Sequence, residues 1–412
     1  MPYSERVFLT ELFNAAVSAA DPKTALSCFL PVKPKGRTVV IGAGKGAAQL
    51  AAAFEELWEG PLSGVVVTRY GFTAPCQHIK VLEASHPVPD AAGLVASAAL
   101  FEAVRDLGPD DLVVALICGG GSSLLPAPVA GLSLDDEIAL NKALLASGAP
   151  ISAMNIIRQQ ISQIKGGQLA RAAAPAKVVS LIVSDVPGDD PAQVASGPTV
   201  GGANGPADAL AAIRTYDIKL PSNIQRFIES LPHTSHEAAQ LAGNEVHIIA
   251  SASKSLEAAA KVAAAHGIPA VILSDAIEGE AREIAKMHAA IAAQIADSDR
   301  PFSAPVVVLS GGETTVTLVG PGGRGGRNTE FLLSFAREIE GRENIHALAA
   351  DTDGIDGSED NAGAFCDGQS CAEMRGAGTD PSDALLGHDA WSAFLSIDAL
   401  FVCGPTGTNV ND

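Results

Sequence analysis

The chain has 412 residues, 47% hydrophobic and 18% charged, which suits a large buried core and, at about 150 residues per domain, two or three domains. Lys and Arg total 27 against 47 Asp and Glu, a formal charge of −20. That balance excludes a nucleic-acid coat or an anionic-membrane binder, because either needs a net basic face, but a small anionic ligand needs only local positive groups.

Val7, Leu9, Leu12, Phe13 and Val17 recur at near-helical spacing and predict an amphipathic helix at the start of the chain. Glu5 and Glu11 interrupt this segment, so no secretory signal is expected there. Thr38–Ile41 reads as a strand, followed by the turn Gly42-Ala-Gly-Lys-Gly46 and an Ala-rich helix over 47–58. Val65–Val67 is a second strand, and Asp90 is a natural N-cap for a helix reaching Leu107. Leu112–Cys118 is a continuous apolar run, as in a parallel strand covered on both faces, and it ends in Gly119-Gly-Gly-Ser-Ser123. Helices are expected over 134–146 and 151–164, then a strand at Val178–Val183 that ends in Ser184-Asp-Val-Pro-Gly-Asp-Asp190. This alternation predicts a Rossmann-like, doubly wound, mostly parallel sheet, whose ligands bind beyond the carboxyl ends of the strands.

Pro232–Gly243 is poor in apolar residues, which places a boundary near 240, with domains at 1–240 and 241–412. The second domain reads as α/β too. Strands are expected at Val246–Ala250, Ala270–Leu273, Pro305–Leu309, Thr314–Val319 and His346–Ala350, with helices over 253–266 and 278–297 and another after Arg327. No apolar stretch approaches the ~18 residues of a membrane span, so a soluble cytoplasmic protein is expected. The six cysteines are scattered without metal spacing and read as inert, with Cys118 and Cys403 buried in apolar runs.

Several loops could carry chemistry. Gly42-x-Gly44-x-x-Ala47 resembles a dinucleotide fingerprint, but the acidic residue expected after the second strand is replaced by Arg69, which disfavours NAD and leaves NADP open. Lys45 in that turn either meets an anion or is solvated. Gly119–Gly121 form a second potential anion nest, in which Ser122 and Ser123 could donate further hydrogen bonds. Asn155, Arg158, Ser162 and Lys165 are spaced for one helical face, either an anion clamp or a solvated surface. Asp185, Asp189 and Asp190 in one loop, and Asp351, Asp353 and Asp356 in another, suit Mg²⁺, a general base or a plain turn. Ser310-Gly-Gly-Glu-Thr-Thr315 and the Gly loop bearing Arg324 and Arg327 complete the set. Together these parts suit phosphoryl transfer, which depends on positioning and electrostatics.

These segments carry a family resemblance. Gly42–Gly46, Ser85-His-Pro-Val-Pro-Asp90, Cys118–Ser123, Ile164-Lys-Gly-Gly167, Ser184–Asp189, Ala195-Ser-Gly-Pro-Thr199, Ser310–Thr315, Gly325-Gly-Arg-Asn328, Asp351–Gly357 and Gly404-Pro-Thr-Gly-Thr-Asn409 occur in order along nearly the whole chain. In them the chain resembles the type II glycerate kinases, the glycerate 2-kinase family with a C-terminal MOFRL domain. The resemblance implies transfer of the ATP γ-phosphoryl group to the 2-hydroxyl of D-glycerate, giving 2-phospho-D-glycerate, with Mg²⁺ required. It also implies two α/β domains with the active site in the cleft between them. Lys45 and Arg327 match the family's lysine and arginine implicated in catalysis.

From the residues themselves, Gly44, Gly46, Gly120, Gly121, Ser122, Ser123, Gly312, Glu313 and Thr314 are expected to hold phosphate or nucleotide. His86, Asn155, Arg158 and Lys165 are expected to meet the substrate, although His86 could equally brace its Pro-rich turn. Asp189 or Asp351 would act as base or stand near Mg²⁺, with Asp353 as a further ligand. Some family members carry the name hydroxypyruvate reductase, so an NAD(P)H-dependent reductase is the alternative, and a ligand sensor without turnover is a third reading. ATP and D-glycerate are the expected small-molecule partners; a homodimer is open. The family motif Thr-Gly-Thr-Asn-Val-Asn-Asp is followed elsewhere by a last strand, which is expected beyond Asp412.

Overall fold

The computed structural model describes residues 1–412 except 2, 203, 233–240, 242, 319–321, 358, 409, 411 and 412. The expected boundary at 240 falls among the residues left out. By its contacts the chain divides into two compact units, residues 22–249 and residues 1–21 with 250–412.

The first unit holds a six-strand parallel sheet formed by β1 (Thr38–Ala43), β2 (Ser63–Arg69), β3 (Ile79–Ala84), β4 (Leu112–Cys118), β5 (Lys177–Val183) and β6 (Glu245–Ala250). Its order is β3-β2-β1-β4-β5-β6, so the winding reverses between β1 and β4. Both strands there are buried at every residue, which explains their almost wholly apolar sequence. The two lie so close that a Cβ on Gly42 would stand 2.5 Å from the Leu116 carbonyl oxygen. Helices Ala91–Ala103 and Gln168–Ala173 share a core with the sheet through Ala96, Leu100 and Leu169. Asp90 caps the first of them by accepting from Gly93 N at 3.0 Å, as expected. Four further helices, Leu134–Ala146, Ile151–Gln160, Pro206–Thr215 and Ser222–Ser230, build a separate core around Leu140, Leu144, Ile157, Ile213 and Ile224.

The expected helix over 151–164 stops at Gln160. Its chain leaves the helix to bond with a neighbouring segment: Val129 N donates to Ile161 O and Gln163 N to Ala127 O. Lys165 therefore does not lie on the same helical face as Asn155 and Arg158.

In the second unit, β7 (Ala270–Glu280) and β8 (Val307–Thr315) pair in parallel, while β9 (His346–Ala350), β10 (Gly363–Asp367) and β11 (Leu400–Phe401) form an antiparallel sheet. Helices Ala281–Ser298 and Arg327–Glu338 pack together through Ala285, Ala289, Leu332 and Leu333. The first helix, Tyr3–Ala19, also belongs here: Leu12 packs with Ala259 and Ala263, and Ser255 Oγ donates to Ala16 O at 2.8 Å. The first 21 residues were expected in the N-terminal domain, but they belong with the C-terminal unit.

Ser310–Glu313, expected to separate two strands, instead continues β8 as far as Thr315. There Gly312 pairs with Ile277, and its missing Cβ admits the Ile277 backbone. Two strands, β3 and β10, are not predicted from the sequence, whereas β11 is the strand expected before Cys403. β3 is a half-exposed edge without an apolar run, and β10 and β11 span only five and two residues. Among the described residues no helix is long and apolar enough to cross a membrane.

Candidate active site

At the reversal of the first sheet, the loops after β1 and β4 are bound to each other. Lys45 N donates to Gly119 O at 2.8 Å and Gly46 N to the Cys118 sulfur at 3.3 Å. Thr68 Oγ1 donates to Lys45 O at 3.0 Å, so the lysine backbone is held from two further strands. Gly44 has φ 139°, and a side chain there would collide with Cys118. Cys118 itself is a neutral thiol, pushed up to about 12 chiefly by burial.

The Lys45 side chain runs beside Gly120. A Cβ on Gly120 would stand 2.9 Å from Lys45 Cγ and 3.0 Å from His86 Nε2, so the absence of a side chain lets both groups reach the loop. The Asp185 carboxylate, from the loop after β5, lies against Gly119 in the same way. The ammonium of Lys45 has no hydrogen-bond or ion-pair partner among the described residues. Burial, then the charges of Lys45 and Arg69, lower the His86 pKa to about 4. His86 is thus neutral at neutral pH.

That shift sets a pH dependence. With 6.5 as its ordinary value, His86 takes up a proton more readily in the unfolded chain, so its neutral form supports the fold fully above 6.5. This support is lost as the pH falls towards about 4. Thermal melts across that window should show wild type losing more stability than His86→Gln. Parallel curves would contradict the assignment.

The serines differ from expectation. Ser123 Oγ donates to Gly120 O at 3.2 Å, and Ser122 Oγ lies 2.8 Å from Ser196 Oγ. Asn155, expected to meet substrate, is 1% exposed; it binds Ser196 Oγ, Arg158 Nη1 and Gln193. Arg158 also donates to Asn141 Oδ1 at 2.8 Å, and burial lowers its pKa to about 10, so it stays cationic. Lys165 is turned into the interior, where its ammonium binds Glu137 Oε1 at 2.7 Å and Leu125 O at 2.9 Å. An ammonium so engaged does not clamp a ligand, which corrects that expectation.

Ser196 is a residue that motif reasoning does not single out as a site group, whereas Asp185 belongs to the loop carboxylates already expected there. Ala195, Ser196 and Gly197 are consecutive left-handed residues with φ of 53°, 61° and 64°. For each of the two non-glycines this costs on the order of 1–2 kcal/mol. Asp189 is left-handed as well, at φ 53°, and its carboxylate has no hydrogen-bond partner among the described residues.

The second unit brings together Arg327, Glu313 and Asp351. Arg327 Nη1 binds Glu313 Oε1 at 2.9 Å, and Nη2 approaches Asp351 Oδ2 at 3.4 Å. Asp351 Oδ1 also accepts from Asp353 N, and Asp353 Oδ1 from Ile355 N, so both carboxylates shape their own turn. Glu313 and Thr314 stand at the end of β8, where Glu313 is exposed. Arg324 stacks on Trp391 at 4.2 Å. Cys403, expected to be buried, is exposed. Among the described residues no three His, Cys, Asp or Glu side chains cluster as a metal site.

Asp356 has a structural task. Its carboxylate accepts from Asn328 N at 2.9 Å and from Thr329 N and Oγ1 at 2.8 Å, closing the helix that begins at Arg327. Asp356→Ala should cost about 2 kcal/mol or more, because buried amide donors lose their acceptor. Chemical denaturation measures this, and an unchanged midpoint would contradict the capping role.

Two family models match the chain: a domain of unknown function, DUF4147, over residues 8–229, and the MOFRL family over 306–412. A D-glycerate 2-kinase of Thermotoga maritima is 37% identical over 100% of this chain and 98% of its own. The chain belongs to the DUF4147–MOFRL glycerate kinase family. A solved glycerate kinase structure from Thermotoga maritima aligns with this family member at a TM-score of 0.89 and 36% identity, over 100% of this chain and 98% of that one. A relative in Agrobacterium vitis, provisionally named a hydroxypyruvate reductase, is 53% identical over 99% of this chain and 93% of its own. Lys45, His86, Ser122 and Asp189 fall within the DUF4147 match, and Arg327 and Asp351 within the MOFRL match.

Proposed function

We propose that this family member is an ATP-dependent glycerate 2-kinase, transferring the γ-phosphoryl group to the 2-hydroxyl of D-glycerate. The observation that carries the reading is the Lys45 ammonium, unpartnered among the described residues and held where the loops of β1 and β4 meet. An unneutralised cation beyond the carboxyl ends of parallel strands is suited to phosphate oxygens, and its charge counts most as negative charge shifts during transfer. With His86 neutral, the positive charges felt at that corner are those of Lys45 and Arg69. Arg158, whose described hydrogen bonds go to asparagines rather than to a carboxylate, is the candidate for the substrate carboxylate. Arg327 takes the charge-stabilising role that the family resemblance assigns it.

ATP brings Mg²⁺ in this reading. Asp189 fits it, since its carboxylate has no hydrogen-bond partner among the described residues and Mg²⁺ asks for only one or two protein carboxylates. Asp351 and Asp353 fit less well, because each already accepts a backbone N–H. Bound there, the ion would offset charge on the phosphates.

The provisional name of the Agrobacterium vitis relative favours a second reading, reduction of hydroxypyruvate by NADPH. Local packing weakens it. Gly44 is required by contact with Cys118, and the Arg69 guanidinium lies 3.4 Å over the Phe72 ring. Paired assays decide between the two. ADP release that depends on D-glycerate supports the kinase. Oxidation of NADPH by hydroxypyruvate, without such release, supports the reductase.

A further inference from the structure

The hydrogen bonds behind the loop after β4 determine which way its Ser122 proton points. Asn155 is fixed first. Its Nδ2 donates at 3.0 Å to the Gln193 carbonyl oxygen, which can only accept. Its Oδ1 receives Arg158 Nη1 at 3.0 Å, and a guanidinium can only donate. The amide cannot be reversed without breaking both bonds. Ser196 Oγ lies 2.8 Å from that same Oδ1, so the Ser196 proton goes to Asn155. Ser196 Oγ also lies 2.8 Å from Ser122 Oγ and has no second proton to give. Ser122 is therefore the donor in that pair. Its single proton is spent inside the protein, and only lone pairs remain for a ligand.

The left-handed run at Ala195, Ser196 and Gly197 holds Ser196 in this position. Ser196 is 1% exposed and Asn155 1% exposed, whereas Ser122 is half-buried.

We infer that Ser122 Oγ accepts a hydrogen bond from an alcohol hydroxyl of the hydroxy-acid substrate, and so selects for that hydroxyl rather than holding a phosphate oxygen. Phosphate oxygens at neutral pH are acceptors, so an acceptor-only serine gives them nothing. A hydroxyl is the part of a hydroxy acid that can donate. A fluorine in its place keeps similar bulk but brings no proton. This inference rests on the glycerate kinase reading and assigns one residue within it.

The test crosses one substitution with two ligand changes. Wild type and Ser122→Ala are titrated with D-glycerate and with the two acids in which one hydroxyl or the other is replaced by fluorine. Loss of one hydrogen bond should weaken binding about tenfold. D-glycerate should bind Ser122→Ala about tenfold more weakly than wild type, with KM for ATP unchanged. One of the two fluoro acids should bind wild type about tenfold more weakly than D-glycerate yet bind Ser122→Ala as well as it binds wild type. The wild-type comparison stands even if the variant does not fold.

Equal binding of all three acids to wild type would overturn the inference. So would a Ser122→Ala effect confined to the KM for ATP or to the Mg²⁺ requirement. If wild type turns over D-glycerate and no such coupling appears, this inference alone fails. If wild type neither binds nor phosphorylates D-glycerate, both fail.

Discussion

Replacing Lys45 with methionine should lower kcat/KM for D-glycerate phosphorylation by about 10²–10³-fold, the usual loss when one preorganised group that stabilises transition-state charge is removed. Melting should hardly change. The Lys45 ammonium has no described partner to be orphaned, and its backbone is held by bonds to Gly119 and Thr68 that the substitution leaves intact. Methionine keeps the straight stem that passes beside Gly120. A folded variant with wild-type turnover would remove Lys45 from the mechanism. An unfolded one would show that the lysine serves the fold.

Glu137→Ala should have the largest effect on stability, about 3–5 kcal/mol. Glu137 and Lys165 are 4% and 1% exposed, and their ion pair measures 2.7 Å. Removing the carboxylate leaves a buried ammonium with Leu125 O as its remaining hydrogen-bond partner. The fold also loses the negative charge that supports cationic Arg158. The double substitution Glu137→Leu with Lys165→Met removes both charges and should restore most of the loss, since well-packed apolar pairs often match buried ion pairs. Denaturant unfolding of the three variants measures the cycle. If Lys165 were instead a substrate clamp, the double variant would be stable but would bind D-glycerate far more weakly.

The elements read best from sequence were those whose pattern answers to one cause. β4 is buried at all seven residues and β5 at all but Lys177, so a mainly apolar run suffices to mark each. Asp90 shows its N-cap role by residue type alone. The helix through Arg158 was overextended because the pairing that ends it, between residues 127–129 and 161–163, joins segments far apart in the chain. The same reason misplaced the first helix, whose partner lies about 240 residues onward at Ser255.

At the candidate site, the position of Lys45 follows from the strand-to-helix glycine turn, which is plain in the sequence. The Lys165 pairing is hidden from the sequence, because spacing gives no sign of a buried carboxylate from another helix. Ser196 is not legible in the sequence, because neither its left-handed backbone nor the amide that orients its hydroxyl leaves a trace there. The polarity of Ser122 has no local signature, since the direction of a hydroxyl proton depends on the partner behind it.

The most direct test of the central claim is the product of a single incubation. Purified protein, ATP, Mg²⁺ and D-glycerate are combined, and the phosphorus resonances are followed. The account predicts ADP and 2-phosphoglycerate in equal amounts, with none formed without D-glycerate. No glycerate-dependent ADP, or phosphate placed on the 3-hydroxyl, would contradict it.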